Sequence, residues 1–246
     1  QGGKVTSFTY DDVGNVTNES ISGGPTSGMS FTQTLDSALR RSTDQLDLGV
    51  SNLAATSYAY SSLTGRLSSV SEGATVASYA YLANSDLIGS QTFGSGELIS
   101  SRAYDNLNRL SSLSNTAAGE MLPLSFAYTY NLANQRTRTD EGDGKNWIYT
   151  YDALGQLTQG NHRLADNTVL GGQDFDYAFD EIGNRTSTAG RASAASTYTS
   201  NARNEYVTRS VPNVVDILGI DDPASTVTVE GQTATRSGES FHSEVA

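Results

Sequence analysis

One short pattern recurs along this chain and constrains its fold more than any other feature: aromatic-x-aromatic-Asp-x-x-Gly-x-x-Thr. The clearest copies lie at residues 8–17, 149–158 and 177–186, and weaker copies lie near residues 104, 130 and 200. A copy at 58–67 has one extra residue, and those at 79–81 and 35–40 are the most degenerate. With the residue before the Asp position taken as the anchor, nine repeats have anchors at 10, 35, 60, 81, 104, 130, 151, 179 and 200. A period near 24 residues predicts two strands, a tight turn and a variable return loop per repeat.

The Asp and Gly positions predict how each turn is built. Asp or Asn at turn position 1 caps a type I turn with its side chain, and turn position 4 then takes a positive φ. Glycine adopts that conformation best, and asparagine is its usual substitute. In six repeats turn position 4 is Gly or Asn and nothing else, which a general richness in glycine would not produce. The predicted turn pairs are Asp11 and Gly14, Asp105 and Asn108, Asn131 and Asn134, Asp152 and Gly155, Asp180 and Gly183, and Asn201 and Asn204.

The aromatic residues of each repeat are two positions apart. Residues with this spacing lie on one face of a strand, so the small residues between them face the other way. We expect successive hairpins to stack the rings as a ladder, with aromatic pairs across strands contributing about 0.2–1 kcal/mol each. The predicted ladder residues are Tyr10, Tyr58, Tyr60, Tyr79, Tyr81, Tyr104, Tyr128, Tyr130, Tyr149, Tyr151, Tyr177 and Phe179.

The repeats predict an all-β fold in which tandem β-hairpins form a long antiparallel twisted strip, a spiralling shell or solenoid-like array. Residues 1–210 are predicted to form this strip. From about Val211 the pattern fades, and residues 211–246 are predicted to be the start of a small β insertion or an incomplete module. Both ends of the sequence are expected to be cut from a longer protein.

The repeat pattern resembles the YD repeats of the Rhs (rearrangement hotspot) family, which also occur in insecticidal toxin complexes and in teneurins. The resemblance covers roughly residues 4–210. It implies a strip of hairpins that spirals into a hollow shell, which encloses a C-terminal toxin domain in the toxin relatives and supports adhesion in teneurins. The sequence departs from the toxin relatives at Ile220-Asp-Asp-Pro223-Ala, which lacks the Gly of their cleavage motif. Encapsulation is therefore implied only for a longer parent protein.

Composition excludes several classes of function. The formal net charge of −12 disfavours binding to nucleic acids and to anionic membrane surfaces. The absence of Cys removes disulfides, thiolate metal sites and cysteine nucleophiles. No apolar run approaches the roughly 18 residues of a membrane-spanning helix.

The remaining candidates for chemistry each have a structural interpretation. His162 and His242 have no nucleophile motif nearby and are predicted to be surface loop residues. The acidic segment 140–145 is predicted to be a solvated hairpin turn, with a weak structural Ca²⁺ site as the alternative. Asp174 and Asp176 share one strand face and are predicted to be exposed strand charges. The Asn-x-Ser/Thr triplets at Asn15, Asn18 and Asn184 largely overlap the repeat itself, which makes coincidence the better explanation.

The sequence therefore predicts a non-catalytic structural scaffold without a cofactor or a metal, secreted or at the cell surface. Its expected partners are further repeats of the same parent chain or other copies, and an encapsulated toxin polypeptide. A self-assembling extracellular filament or adhesin, built by edge-to-edge packing of repeats, is the alternative. A third hypothesis is carbohydrate binding by the tyrosine-rich face.

Overall fold

The fold was analysed in a computed structural model that describes residues 3–119, 124–190 and 195–246. All regular secondary structure in these ranges is β-strand, so the predicted all-β class is confirmed. By internal contacts the chain divides into two compact units. Unit 1 comprises Gln1–Ala103 and Leu113–Pro123, and unit 2 comprises Tyr104–Ser112 and Leu124–Ala246.

Unit 1 is a run of consecutive antiparallel hairpins in which each strand pairs with the next one along the chain. Strand β10 (Leu110–Ala117) has residues in both units. The strands of unit 1 are β1 (Val5–Tyr10), β2 (Val16–Ser22), β3 (Met29–Leu35), β4 (Arg41–Leu48), β5 (Ser51–Tyr60), β6 (Leu67–Glu72), β7 (Thr75–Tyr81), β8 (Ile88–Phe93) and β9 (Leu98–Tyr104), the last residue of which belongs to unit 2.

Unit 2 repeats this arrangement and adds a C-terminal sheet. Its consecutive antiparallel strands are β11 (Leu124–Tyr130), β12 (Arg136–Glu141), β13 (Asn146–Tyr151), β14 (Leu157–Arg163), β15 (Val169–Phe179), β16 (Arg185–Ala189), β17 (Ser196–Ser200) and β18 (Tyr206–Arg209). The C-terminal strands are β19 (Val215–Ile220), β20 (Thr228–Val229), β21 (Gln232–Thr233), β22 (Thr235–Ser237) and β23 (Ser240–Val245). Strand β23 pairs with both β19 and β22, and β20 pairs with β21.

The nine anchor positions all fall at the same place in their hairpins. Each anchor is the last residue of an odd-numbered strand, from Tyr10 at the end of β1 to Ser200 at the end of β17. The turn begins at the next residue, where a short polar side chain can cap it. The strand boundaries thus follow the repeat, with the turn chemistry ending each first strand.

A β-bulge recurs at the same place in the hairpins. Thr9 pairs with Asn18 whereas Tyr10 pairs with Val16, so Thr17 is an inserted residue. The same register shift recurs in seven further hairpins, and the inserted residues there are Ser42, Ser68, Gly89, Thr137, Thr158, Thr186 and Val207. The closing Thr of the repeat pattern is therefore the bulge residue, which increases the local twist of the strand pair.

The two faces of the sheets differ in exposure. The aromatic residues of β5, such as Tyr58 and Tyr60, are half-buried, whereas Ala59 between them is exposed. The same alternation recurs in β7, β11 and β13. Among the described residues, only Leu170 and Ala234 are buried hydrophobic residues. Each repeat sheet is thus stabilised mainly by contacts between neighbouring hairpins and not by a layered apolar core.

The C-terminal sheet packs against β15 at two glycines. A Cβ at Gly172 would lie 2.6 Å from a methyl carbon of Leu218, and one at Gly171 would lie 3.0 Å from the His242 ring. Gly172 also has a φ of +70°. The two glycines therefore permit a close approach of β19 and β23 that larger residues would block. In the described ranges, no helix has the length and apolar character needed to span a bilayer.

Candidate functional site: repeated turns and tyrosine bridges

The repeated turns share one hydrogen-bond pattern, which Asp152 illustrates. The Gly155 amide donates to the Asp152 carbonyl at 3.1 Å, and the Asp152 amide donates to the Gln156 carbonyl at 3.0 Å. The Asp152 carboxylate accepts hydrogen bonds from the amides of Leu154 and Gln156. One carboxylate oxygen of the residue at turn position 1 therefore accepts hydrogen bonds from the backbone amides at turn positions 3 and 5.

Turn position 4 has a positive φ in every one of the six predicted pairs. The values are 91° at Gly14, 60° at Asn108, 62° at Asn134, 86° at Gly155, 89° at Gly183 and 61° at Asn204. A seventh turn of this type begins at Asp36, and its position 4 is Leu39 with a φ of 59°. Leucine disfavours this region because its Cβ approaches the backbone, so this turn is strained where the others are not.

Turn position 5, which sequence reasoning did not single out, is chemically matched to turn position 1. Where position 1 is Asp, the side chain at position 5 donates to its second carboxylate oxygen. The donors are Asn15 to Asp11, Arg40 to Asp36, Arg109 to Asp105, Gln156 to Asp152, and Asn184 to Asp180, at 2.7 to 2.9 Å. Where position 1 is Asn, the direction is reversed, since Asn131 donates to Gln135 at 2.7 Å and Asn201 donates to Glu205 at 2.8 Å.

This matching accounts for the Gly-Asn-x-Thr sequences that resemble glycosylation triplets. At residues 14–17 and 183–186 the Asn is turn position 5 and the Thr is the bulge residue. Only a comparison of positions 1 and 5 across repeats would have revealed the pairing from sequence.

Hydrogen bonds hold several of the turn carboxylates in the ionised form. The Asn15 side chain lowers the pKa of Asp11, the Arg40 side chain lowers that of Asp36, and the Asn184 side chain lowers that of Asp180. Backbone amides add to each effect. The turns therefore favour charged aspartates on the surface of the protein.

Four anchor tyrosines connect successive hairpins in the same way, through what we call a tyrosine bridge. In each bridge the anchor hydroxyl donates to the carbonyl of the residue that follows turn position 5 in the preceding hairpin. The bridges are Tyr60 to Arg41 at 2.9 Å, Tyr81 to Leu67 at 2.9 Å, Tyr130 to Leu110 at 2.8 Å, and Tyr151 to Arg136 at 2.7 Å.

An arginine of the preceding turn covers three of these anchor rings. The guanidinium carbon lies 4.1 Å from the ring centroid for Arg40 over Tyr60, 5.4 Å for Arg66 over Tyr81, and 4.7 Å for Arg109 over Tyr130. These distances are typical of cation–π contacts. The bridge and the arginine together tie the anchor of one hairpin to the turn of the hairpin before it.

Turn position 5 also reaches the next turn directly. Arg40 donates to the carbonyl of Gly65 at 2.8 Å, and Gln135 donates to the carbonyl of Gly155 at 3.2 Å. Arg109 donates to the side chain of Asn134 at 2.8 Å. The turn edge of each unit is thus a row of polar contacts that run from one turn to the next.

Guanidinium groups cover the anchor rings Tyr60, Tyr81 and Tyr130. The sequence predicted instead that the rings of successive hairpins stack on one another. An even-numbered strand lies between two successive anchors, which places them about 9.6 Å apart at the usual strand spacing. That distance leaves room for a guanidinium between the rings. Two of the predicted ladder residues, Tyr128 and Tyr149, do stack, but on Phe126 and Trp147 of their own strands and not on the anchor of another hairpin.

Neither histidine is a surface loop residue, which corrects that prediction. His162 lies in β14 with 9% of its surface exposed, and His242 lies in β23 with 8% exposed. His162 stacks on Trp147 with ring centroids 4.6 Å apart and contacts Gln173 at 2.6 Å and Glu141 at 3.3 Å. Its burial depends on cross-strand pairing with Trp147, a contact that the repeat period does not encode.

The prediction for Asp174 is also wrong, because only 2% of its surface is exposed. It pairs across the strands with Asn161, whose amide donates to the Asp174 carboxylate. Asp176 is half-buried and accepts from Gln159 at 2.8 Å. Both carboxylates are thus used in hydrogen bonds between β14 and β15.

The acidic segment 140–145 spans the end of β12 and a tight turn into β13. Lys145 forms ion pairs with Asp143 at 2.9 Å and with Glu239 of the C-terminal segment at 2.8 Å. These two carboxylates raise the pKa of Lys145 above its ordinary value. The turn therefore helps to hold the C-terminal segment on unit 2.

One group of side chains in unit 2 could hold a metal ion. Asp216, His242 and Glu244 each place a ligand atom within 4.8 Å of the others, through the register of β19 with β23. In the structure the His242 Nε2 is 2.6 Å from the Asp216 carboxylate. The spacing of His242 and Glu244 was the only sequence sign of this group.

The fold is similar to segments of known toxin-complex structures. The crystal structure of TcdB2-TccC3 matches 93% of this chain with a TM-score of 0.56 and 16% identity, and that of TcdB2-TccC3-Cdc42 matches 98% with a TM-score of 0.52 and 15% identity. The match covers 14% and 15% of those chains, so this chain spans a small part of their length. At such identities the likeness shows the fold. No protein-family model matches the chain, and no curated protein sequence matches it.

Proposed function

We propose that this chain is a non-catalytic structural scaffold, a section of the wall of an extracellular Rhs-type shell. The observation that carries the proposal is the repeated connection between hairpins. All the recurrent positions of the repeat serve this connection. Turn positions 1, 4 and 5 and the bulge stabilise each hairpin, and the anchor joins it to the hairpin before it. A chain whose recurrent residues serve this purpose is suited to building a wall of any length.

The second support is the way in which each repeat sheet is exposed. With few buried apolar residues among those described, a sheet of this kind is stabilised along its length and leaves its faces available. The similarity of fold to TcdB2-TccC3 agrees with this role. In a longer parent protein the wall would enclose a polypeptide such as a toxin domain.

The absence of catalysis is part of the proposal. His162 and His242 are each engaged by carboxylate or amide side chains, and Asp174 and Asp176 by amides. A nucleophile or general base must also be accessible to a substrate, and His162, His242 and Asp174 have no more than 9% of their surface exposed. We expect the parent protein without its enclosed domain to have no hydrolytic activity.

A self-assembling filament or adhesin is the second candidate. The observation in its favour is that every residue of the edge strand β18 is exposed. Exposed edge strands can add a strand from another molecule.

Electron microscopy of the native parent protein, purified without denaturation, distinguishes the two candidates. We expect closed hollow particles that retain a second polypeptide, which mass spectrometry would identify. Filaments or sheets would overturn the shell and favour the second candidate. Fractionation of the source culture would test the location, since recovery of the protein only inside cells contradicts an extracellular role.

A further inference from the structure

Three side chains that can bind a metal ion meet on one face of the C-terminal sheet. Asp216 of β19 lies directly opposite Glu244 of β23, and His242 lies two residues before Glu244. Residues two apart lie on the same face of a strand, so the register brings all three side chains together. One ligand atom from each lies within 4.8 Å of the others. The arrangement therefore depends on the pairing of two strands and not on a loop.

The His242 ring is the fixed part of this group. Only 8% of the surface of His242 is exposed, and its ring lies against the backbone of β15 at Gly171 and Gly172. The Nε2 atom is directed at the Asp216 carboxylate, at 2.6 Å. A side chain that packing already holds in place loses little conformational freedom when it binds a ligand. The imidazole is thus preorganised, with Nε2 on the side of the carboxylates.

The charges around this group are unbalanced. Like charges directly opposite each other on antiparallel strands are destabilising, and Asp216 and Glu244 form such a pair. Residues 215–245 contain six acidic side chains, one Arg and no Lys. The one arginine, Arg236, donates to two backbone carbonyls in the segment that follows β19. A divalent cation between the two carboxylates would remove the repulsion between them.

The second histidine shows what distinguishes this group. His162 also contacts a carboxylate, that of Glu141 at 3.3 Å, but its other ring nitrogen contacts the Gln173 amide at 2.6 Å. In the part of the chain that the structure describes, the group at His242 is the only one in which three such ligand atoms lie this close together. A contact between a histidine and one carboxylate is therefore present twice, and the third ligand is present once.

We propose that Asp216, His242 and Glu244 bind a zinc ion that attaches β19 to β23. Zinc accepts an imidazole nitrogen and two carboxylate oxygens, with water as the fourth ligand. At bond lengths of about 2.0–2.2 Å, tetrahedral ligand atoms lie about 3.4 Å apart, so Nε2 and the Asp216 oxygen need to separate by less than about 1 Å. Glu244 is exposed and can turn towards the ion. His242 binds with its proton on Nδ1, so that the cation takes the place of the hydrogen between Nε2 and Asp216.

Isothermal titration calorimetry of the full chain with zinc chloride tests this inference. We expect one zinc ion per chain. Asp216→Asn and Glu244→Gln should each weaken binding at least about tenfold, because a neutral amide oxygen replaces an anionic ligand. Glu141→Gln is the matched control, since it makes the same change beside the other histidine and should leave the affinity unchanged. Glu244 is exposed, so its variant keeps the fold.

Amide hydrogen exchange and NMR locate the ion. At a zinc concentration of a hundred times Kd, exchange that requires β19 and β23 to separate should slow about a hundredfold, because only the paired strands hold all three ligands together. Exchange in β13 and β14 should not change. The ¹⁵N resonance of His242 Nε2 should shift on addition of zinc, whereas the resonances of the His162 ring should not.

Three results would overturn the inference. The first is the absence of saturable binding, and the second is binding that survives both Asp216→Asn and Glu244→Gln. The third is equal affinity for calcium, which takes oxygen ligands and has no need of His242. The proposal concerns contacts within the C-terminal sheet and goes beyond the role of the repeats. Zinc binding can therefore fail while the parent protein forms a shell, and the reverse also holds.

Discussion

The Tyr60 hydroxyl donates a hydrogen bond of 2.9 Å to the Arg41 carbonyl, which belongs to the preceding hairpin. The same relationship recurs at three further anchors. A hydrogen bond between hairpins contributes to stability only when both hairpins are folded. The bridges therefore couple the folding of neighbouring repeats.

Tyr60→Phe removes the bridge and keeps the ring under Arg40. We expect the free energy of unfolding of unit 1 to fall by about 0.5–1.5 kcal/mol, because the substitution deletes one hydrogen bond and leaves a carbonyl without its donor. Urea unfolding followed by fluorescence measures the change. Tyr10→Phe is the control and should have no effect, since Tyr10 lies in the exposed strand β1. A similar loss in both variants would show that the bridge is not the cause.

Leu39→Asn should stabilise the protein. Leu39 has a φ of 59° and 63% of its surface exposed, so the substitution relieves backbone strain and removes little packing. We expect a gain of about 0.5–1 kcal/mol, measured by thermal unfolding. Leu63→Asn is the matched control, because Leu63 is 94% exposed and lies in a turn at negative φ. A gain in the control that equals the gain at Leu39 would mean that reduced surface hydrophobicity is responsible.

Substitutions at Gly155 separate the effect of backbone conformation on stability from the effect of steric crowding. Gly155 has a φ of +86°, and a Cβ there would meet only the far end of the Gln135 side chain at 3.0 Å. We expect Gly155→Val to reduce the free energy of unfolding by about 1–3 kcal/mol, because a β-branched residue disfavours positive φ. Gly155→Asn should cost about 1 kcal/mol or less, as Asn occupies this position in three other turns. Equal losses from Val and Asn in chemical denaturation would contradict the turn assignment.

Acid should destabilise the turns in a defined range of pH. The pKa values of Asp11, Asp36 and Asp180 are lower in the folded protein than the ordinary value, so the unfolded chain binds protons first as the pH falls. Their stabilising effect is present above about pH 4 and is lost as the pH falls through the folded pKa values. Thermal unfolding measured from pH 6 to pH 2 should show stability that declines below about pH 4. In Asp36→Asn the decline should be shallower, and an unchanged slope would show that this turn does not contribute.

Gly172→Ala should release the C-terminal sheet from β15. The added Cβ would lie 2.6 Å from Leu218 and 2.9 Å from the His242 ring, which is closer than atoms can approach. We expect faster hydrogen exchange and proteolysis within residues 215–245, with β11 to β13 unaffected. Gly160→Ala is the control, because its Cβ would lie 3.7 Å from Tyr149, an ordinary contact. Unchanged protection of residues 215–245 would mean that β15 does not hold this sheet through Gly172.

The features that could be predicted from the sequence are those that a single repeat determines locally. The all-β class follows from strands and turns that recur with a fixed spacing. Asp152 and Gly155 are recognisable because a tight turn restricts both the side chain at one position and the backbone at the other.

What could not be predicted depends on contacts between repeats. To predict the hydrogen bond between Asn201 and Glu205, one must know that the side chains at turn positions 1 and 5 face each other. The burial of Asp174 requires the register of β14 with β15, which shifts between Asn161 and Arg163. Leu39 was missed because no local chemistry favours leucine at positive φ.

The pairing of each strand with its neighbour in the chain has a consequence for biosynthesis. A hairpin needs no residue that is translated after its own second strand, and a hairpin closes in about 1–10 μs. A ribosome delivers a repeat of 21 to 28 residues in roughly one to six seconds. Each hairpin can therefore fold and add itself to the completed ones as the chain emerges, so that the sheet grows from its N-terminal end without waiting for the C-terminus.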